Sequence, residues 1–259
     1  MSQRSITHEG GDVVLRTEKL TKAFRGFVAV NNVSLDVRRG TIHALIGPNG
    51  AGKTTVFNLV TKFLYPTGGR IFFKNRDITG LTPIEVARLG MVRSFQISAV
   101  FPNLSVLENV RVTLQRTRRD GFHFWRSDDV LDEMNERAKA LLADVGLEAF
   151  SGQKAIELPY GRRRVLELAT TLALDPEVLL LDEPTSGMGH EDIGRITDLI
   201  RRVAVNRTVV MVEHNLSVVA DLSSHITVLN RGEILADGTY EQVSRDPAVI
   251  EAYMGTSGD

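Results

Sequence analysis

The stretch Gly47-Pro48-Asn49-Gly50-Ala51-Gly52-Lys53-Thr54-Thr55 decides how this chain is read. It satisfies the spacing G-x-x-x-x-G-K-[ST] at Gly47, Gly52, Lys53 and Thr54. The short apolar run behind it, Ile42 to Ile46, predicts a buried strand. Ahead of it Val56, Phe57, Leu59, Val60, Phe63 and Leu64 recur at helical spacing and predict a helix. In a strand, glycine-loop, helix unit the glycines let the backbone turn sharply and aim N–H groups at phosphate oxygens. The helix N-terminus adds partial positive charge. Lys53 can then reach the outer phosphates, and the Thr54 hydroxyl can hold Mg²⁺. The alternative, a glycine turn before a structural helix, requires four fixed positions to coincide by accident, on the order of 1% over such a chain.

The 259 residues suffice for one large α/β domain or two lobes. Charges nearly cancel, 31 Lys plus Arg against 32 Asp plus Glu, so no global field draws the chain to nucleic acid or anionic membrane. The absence of cysteine excludes disulfides and thiolate metal sites, and the six histidines show no metal-ligand spacing. The first eleven residues are polar and lack the apolar core of a signal segment. No apolar run approaches the roughly 20 residues that span a bilayer. The expectation is a cytosolic chain, or one that meets a membrane only through partners.

Val13, Leu15 and Leu20 predict an early strand, and Val33, Leu35 and Val37 predict another with one wet face. Ile71 to Phe73 and Met91 to Gln96 read as further strands, with a short helix opened by Thr82 and Pro83 between them. Helices then take over. Ser105 and Glu108 form a capping box, and the amphipathic run Asp128 to Val145 ends at Gly146. The basic, aromatic stretch 115–127 is read as a solvated loop, a surface facing a permease or headgroups, or a nucleic-acid contact. A helix over Arg162 to Leu174, an apolar strand Val178 to Leu181, a helix Glu191 to Val203 and a strand Thr208 to Val212 follow. A hairpin turning at Arg231-Gly232 and a small helix around Ala248 to Met254 close the chain. The fold class expected is α/β, a mainly parallel sheet split by a helical insertion at about 97–165.

The strand Val178 to Leu181 delivers Asp182 and Glu183 at its C-terminal edge, where ligands sit in open α/β sheets. Asp182 is placed to hold Mg²⁺, and Glu183 to orient or deprotonate a water attacking the γ-phosphate. The plainer alternative is a solvated acidic pair at a turn. His214 follows a strand and could donate to the γ-phosphate, or be structural. Gln96 could contact Mg²⁺ or the attacking water.

Together these motifs resemble the ATP-binding subunits of ABC transporters over essentially the whole chain. Gly47 to Thr55 resembles the family's Walker A, and Val92 to Gln96 its Q-loop. Val178 to Pro184 resembles Walker B with the catalytic glutamate, and Val212 to Asn215 the H-switch. Phe24 falls where the family has an aromatic that stacks on adenine, although core packing is the plainer reading. The signature, usually LSGGQ, is Leu158-Pro159-Tyr160-Gly161-Arg162 here, without the serine hydroxyl. That variant, the VRSFQ stretch and the tail Gly238 to Gly255 are similar to the branched-chain amino acid importers. Gly189 departs from the usual D-loop aspartate.

The resemblance implies a RecA-like P-loop core with an N-terminal antiparallel lobe (12–96 and 166–259) and a helical subdomain (about 97–165). It implies ATP and Mg²⁺ as ligands, with Pro48, Asn49, Gly50, Ala51 and Thr55 lining the nucleotide beside the residues already named. It implies ATPase subunits paired as a homo- or heterodimer, two multi-span permeases and indirectly a secreted substrate-binding protein, at the cytoplasmic face of the inner membrane and without nucleic acid. Each ATP would lie between one subunit's Walker A and the other's signature loop. A lipid or lipopolysaccharide exporter ATPase, or a soluble non-transport relative, are the alternatives.

Overall fold

The computed structural model describes residues 12–94, 100–117 and 128–254. Gln96 and most of the basic, aromatic stretch lie outside the described residues.

Two sheets carry the chain. In the first, β1 (Val13–Phe24) is central and pairs antiparallel with β2 (Phe27–Val33), β3 (Asp36–Arg38) and β5 (Gly68–Phe73), and β5 pairs with β6 (Arg76–Asp77). The alternation at Val33, Leu35 and Val37 holds as burial, but the single expected strand is two short ones. The second sheet runs β11-β10-β4-β9-β8-β7, built from β4 (Ile42–Ile46), β7 (Met91–Ser94), β8 (Val178–Asp182), β9 (Thr208–Val212), β10 (His225–Asn230) and β11 (Glu233–Gly238). Its pairings are parallel except β10 with β11.

The five residues of β8 and the five of β9 are all buried, as apolar runs in a parallel sheet covered on both faces must be. Successive side chains point to opposite faces. Leu45, Leu180, Val210 and Val212 pack with the antiparallel sheet and with α1 (Lys53–Val60). Ala44, Leu179, Leu181, Val209 and Met211 pack on the other side. That side is covered by α3 (Val106–Thr117), α4 (Asp128–Asp144), α5 (Tyr160–Leu172), α6 (His190–Ala204) and α7 (Leu216–Leu222).

Local chemistry sets the helix limits. α2 (Pro83–Arg88) starts at a complete capping box between Thr82 and Glu85. α1 stops at Val60, short of the periodic Phe63 and Leu64, because Lys62 turns to φ 65° and sends its buried ammonium to the Thr79 carbonyl, 2.5 Å away. α5 begins at Tyr160, two residues before the expected start, so Gly161 lies in its first turn. Neither α7 nor α8 (Tyr240–Ser244) is anticipated by the sequence reading; both are short and rest on caps, Asn215 and the Thr239–Gln242 box. α9 (Pro247–Met254) ends the described chain. No described helix is long and apolar enough to cross a membrane.

Candidate phosphate-binding and catalytic site

β4, β8 and β9 are neighbours in parallel register, so the loops after them meet at one edge of the sheet. The first is the glycine loop. Gly47 has φ 147°, and a Cβ there would lie 2.1 Å from the Leu229 carbonyl oxygen. Gly52 has φ 101°, and its Cβ would meet the Ala29 carbonyl at 2.7 Å. Both positions therefore exclude side chains through the protein's own backbone. The turn of the β10–β11 hairpin braces the loop: the Gly232 N–H donates to the Ala51 carbonyl at 3.0 Å. Gly50, also at positive φ, faces open space.

No side chain caps the N-terminus of α1. Its first N–H groups have no acceptor in their own helix, which suits an anion there. The Lys53 ammonium donates to the carbonyls of Gly47 (2.6 Å) and Pro48 (2.9 Å). Burial pushes its pKa below the ordinary lysine value, and the charge of Glu183 opposes that shift. Thr54 is exposed and Thr55 half-buried at the start of α1. A threonine hydroxyl with the Asp182 carboxylate is a hard oxygen pair, which fits Mg²⁺. Asp182 is buried, with one carboxylate oxygen engaged by the Arg93 guanidinium.

Glu183 stands at φ 47°, in the left-handed region that a residue with a Cβ avoids. Its N–H donates to the Val212 carbonyl at 2.9 Å, which ties the end of β8 to the end of β9. That tie brings His214 near it: His214 Nδ1 lies 4.0 Å from a Glu183 carboxylate oxygen. The His214 ring is largely exposed.

Four features of the site escaped the sequence reading. Glu213 is fully buried and accepts from the Thr185 N–H (3.1 Å), the Thr185 hydroxyl, and the N–H groups of His214 (2.8 Å) and Asn215 (3.0 Å). It thus locks the loop after Glu183 to the loop bearing His214. Arg93 pairs with Asp182 across adjacent strands. Tyr253 of α9 reaches the Gly47 backbone; burial raises its pKa and that contact opposes the rise. Asp192, in the first turn of α6, crowds Gly161 so closely that a Cβ there would lie 2.5 Å from its carboxylate oxygen. Of the four, only Glu213 left a local signal, a carboxylate between an apolar strand and His214.

The stretch Leu158 to Arg162 lies at the start of α5. Leu158 is buried, Pro159 is the N-cap without a side-chain cap bond, and Gly161 is buried. Tyr160 donates its O–H to the Ser186 carbonyl at 3.1 Å, just past Glu183. Gly189 is the uncapped N-cap of α6. Phe24, at the end of β1, is 43% exposed, which excludes core packing, and the Lys22 ammonium lies 5.1 Å from its ring centroid.

The fold brings His43 and His225 together with Asp237, although nothing in their spacing shows it. His43 Nε2 lies 2.8 Å from the Thr227 hydroxyl and His225 Nε2 lies 2.9 Å from Asp237, so these groups satisfy one another as a polar network.

Residues 30–186 match the family model described as ABC transporter, and residues 233–259 match that described as branched-chain amino acid ATP-binding cassette transporter. The chain is 39% identical over 252 residues to the high-affinity branched-chain amino acid transport ATP-binding protein BraF of Pseudomonas aeruginosa, covering 93% of this chain and 98% of the relative. It is 38% identical, with the same coverage, to LivG of Salmonella typhimurium, which carries the same description. Among solved structures it resembles the ADP conformation of an ATP-binding cassette of an ABC transporter, with TM-score 0.82, 30% identity, and coverage of 94% and 99%. With the glycine loop and the Asp182–Glu183 edge assembled on one parallel sheet, the chain belongs to the ABC transporter ATP-binding cassettes.

Proposed function

We propose that this chain is the ATP-binding and ATP-hydrolysing subunit of an importer that energises uptake of branched-chain amino acids through a membrane permease. The observation that carries the reading is the C-terminal segment 233–259, which matches the branched-chain family model. Its described part adjoins the site, since Tyr253 reaches Gly47.

Gly47 to Thr55 cradle the phosphates with backbone N–H groups, and Lys53 exchanges its two carbonyl partners for phosphate oxygens. Mg²⁺, when bound, neutralises charge between the phosphates. Thr54 and Asp182 are the described residues that would hold it, with Gln96 assigned from the sequence alone. Glu183 orients or deprotonates the attacking water, and its fixed left-handed backbone restricts where the carboxylate points. His214 donates toward the γ-phosphate from a loop that Glu213 holds in place. Phe24, being exposed, is available to stack on adenine. Leu158, Pro159, Tyr160 and Gly161 serve the nucleotide of a second ATPase subunit.

The test is reconstitution with its permeases and binding protein in proteoliposomes. Leucine accumulation that needs internal ATP and is lost with Lys53→Ala is expected. ATP-dependent lipid release without amino-acid uptake would overturn the importer reading.

A further inference from the structure

Arg93 lies on β7 beside β8, in the register Arg93↔Leu180 and Ser94↔Leu181. Its guanidinium reaches the Asp182 carboxylate, with side-chain exposures of only 9% and 2%. The same guanidinium donates to the Asn58 side-chain oxygen at 2.6 Å. Asn58 is four residues after Thr54 on α1, the helix that also carries Lys53. Arg93 therefore joins the strand holding one expected Mg²⁺ ligand to the helix holding the other. Its guanidinium carbon sits 5.8 Å from the Phe57 ring centroid and 6.0 Å from that of Phe63, which shields the pair from water.

We propose that Arg93 is the built-in counter-ion of Asp182, competing with a divalent cation for that carboxylate and so setting how strongly nucleotide binding depends on Mg²⁺. This rests on the reading of Asp182 as a Mg²⁺-holding residue. A buried carboxylate without a partner is costly, and a nearby triphosphate raises that cost by repulsion. With Arg93 in place the carboxylate is neutralised whether or not Mg²⁺ is present. Without Arg93, only the cation neutralises it. Arg93 is thus a positioning residue, acting through Asp182. An ion pair that merely holds β7 to β8 would affect stability and leave the Mg²⁺ dependence unchanged.

The experiment uses the full chain and a fluorescent ATP analogue, with Kd measured in excess EDTA and in excess Mg²⁺. For Arg93→Ala the ratio Kd(EDTA)/Kd(Mg²⁺) rises at least about fivefold over wild type, mainly through weaker Mg²⁺-free binding. Arg93→Lys restores most of the wild-type ratio, because the charge is kept. Asp182→Asn lowers the ratio, and adding Arg93→Ala to it changes nothing further. An unchanged ratio in Arg93→Ala, with the ratio lowered in Asp182→Asn, overturns the role of Arg93 and leaves the reading of Asp182 standing. An unchanged ratio in Asp182→Asn overturns the reading of Asp182 and this inference with it. If Arg93→Ala does not fold, Arg93→Gln is read by the same ratio: a rise of at least about fivefold over wild type supports the role of Arg93, and an unchanged ratio in the folded variant overturns it.

Discussion

Glu183 is a non-glycine residue at φ 47°, and the cost of that backbone, about 1 kcal/mol, is sustained by its N–H bond to Val212 and by the sheet on either side. Strain kept at a carboxylate that faces the phosphate loop points to use rather than to packing. Glu183→Gly should therefore be at least as stable as wild type, by up to about 1 kcal/mol in urea unfolding, while losing turnover. Glu183→Gln should bind ATP normally and hydrolyse it about 10²-fold to 10⁴-fold more slowly in the reconstituted transporter. Wild-type phosphate release from that variant would remove Glu183 from the chemistry. Lys53→Ala should raise the ATP Kd more than about tenfold in calorimetry, a loss of more than about 1.4 kcal/mol. Residues whose role is local were legible in the sequence: the spacing of Gly47, Gly52, Lys53 and Thr54 is itself the chemistry. Arg93 and Asp182 are 89 positions apart, and no local pattern announces their pairing.

At the scale of elements, the start of β4 with β10 and β11 forms a second buried polar network in the sheet that carries the Arg93–Asp182 pair. His43 is fully buried, and desolvation, followed by the charge of His225, lowers its pKa from 6.5 to about 3. The unfolded chain therefore takes up a proton below about pH 6.5 that the folded chain refuses until about pH 3. Unfolded protein binds more protons across that window, so stability falls as pH falls. Asp237 acts in the same direction lower down. Its pKa is depressed, against the desolvation that raises it, by hydrogen bonds from His225 and Thr227, so its contribution is lost as pH drops through the folded value. His43→Gln should flatten the slope between pH 6 and pH 4 in urea unfolding followed by circular dichroism. An unchanged slope would show that His43 is protonated in the fold. The elements themselves were mostly readable: β4, β8, β9 and the β10–β11 hairpin announce themselves as apolar runs and a turn. α7 and α8 were not, because helices of seven and five residues have too few turns to show a period. The early start of α5 was missed because Pro159 caps it without the usual side-chain oxygen.

At the scale of the whole molecule, the proposed function gives the signature stretch Leu158 to Arg162 to the nucleotide of a second subunit. Gly161 is where that claim can be tested. It lies in the first turn of α5, where free N–H groups and the helix dipole favour an approaching phosphate. It also lies against Asp192, whose carboxylate a Cβ at Gly161 would meet at 2.5 Å. A substitution there displaces a flexible side chain before it meets any nucleotide, so size and charge must be separated. Gly161→Asn and Gly161→Asp add nearly the same volume, and only the second adds a charge facing both Asp192 and the partner's phosphate. Both should keep ATP binding through their own Lys53. In a Glu183→Gln background with Mg²⁺ and ATP, light scattering should show dimers for the parent, fewer for Gly161→Asn, and monomers for Gly161→Asp. Equal dimerisation of the Asn and Asp variants would mean that no phosphate approaches Gly161, and that Leu158 to Arg162 serve only to start α5. Dimers of the parent in the absence of nucleotide would place the subunit contact elsewhere.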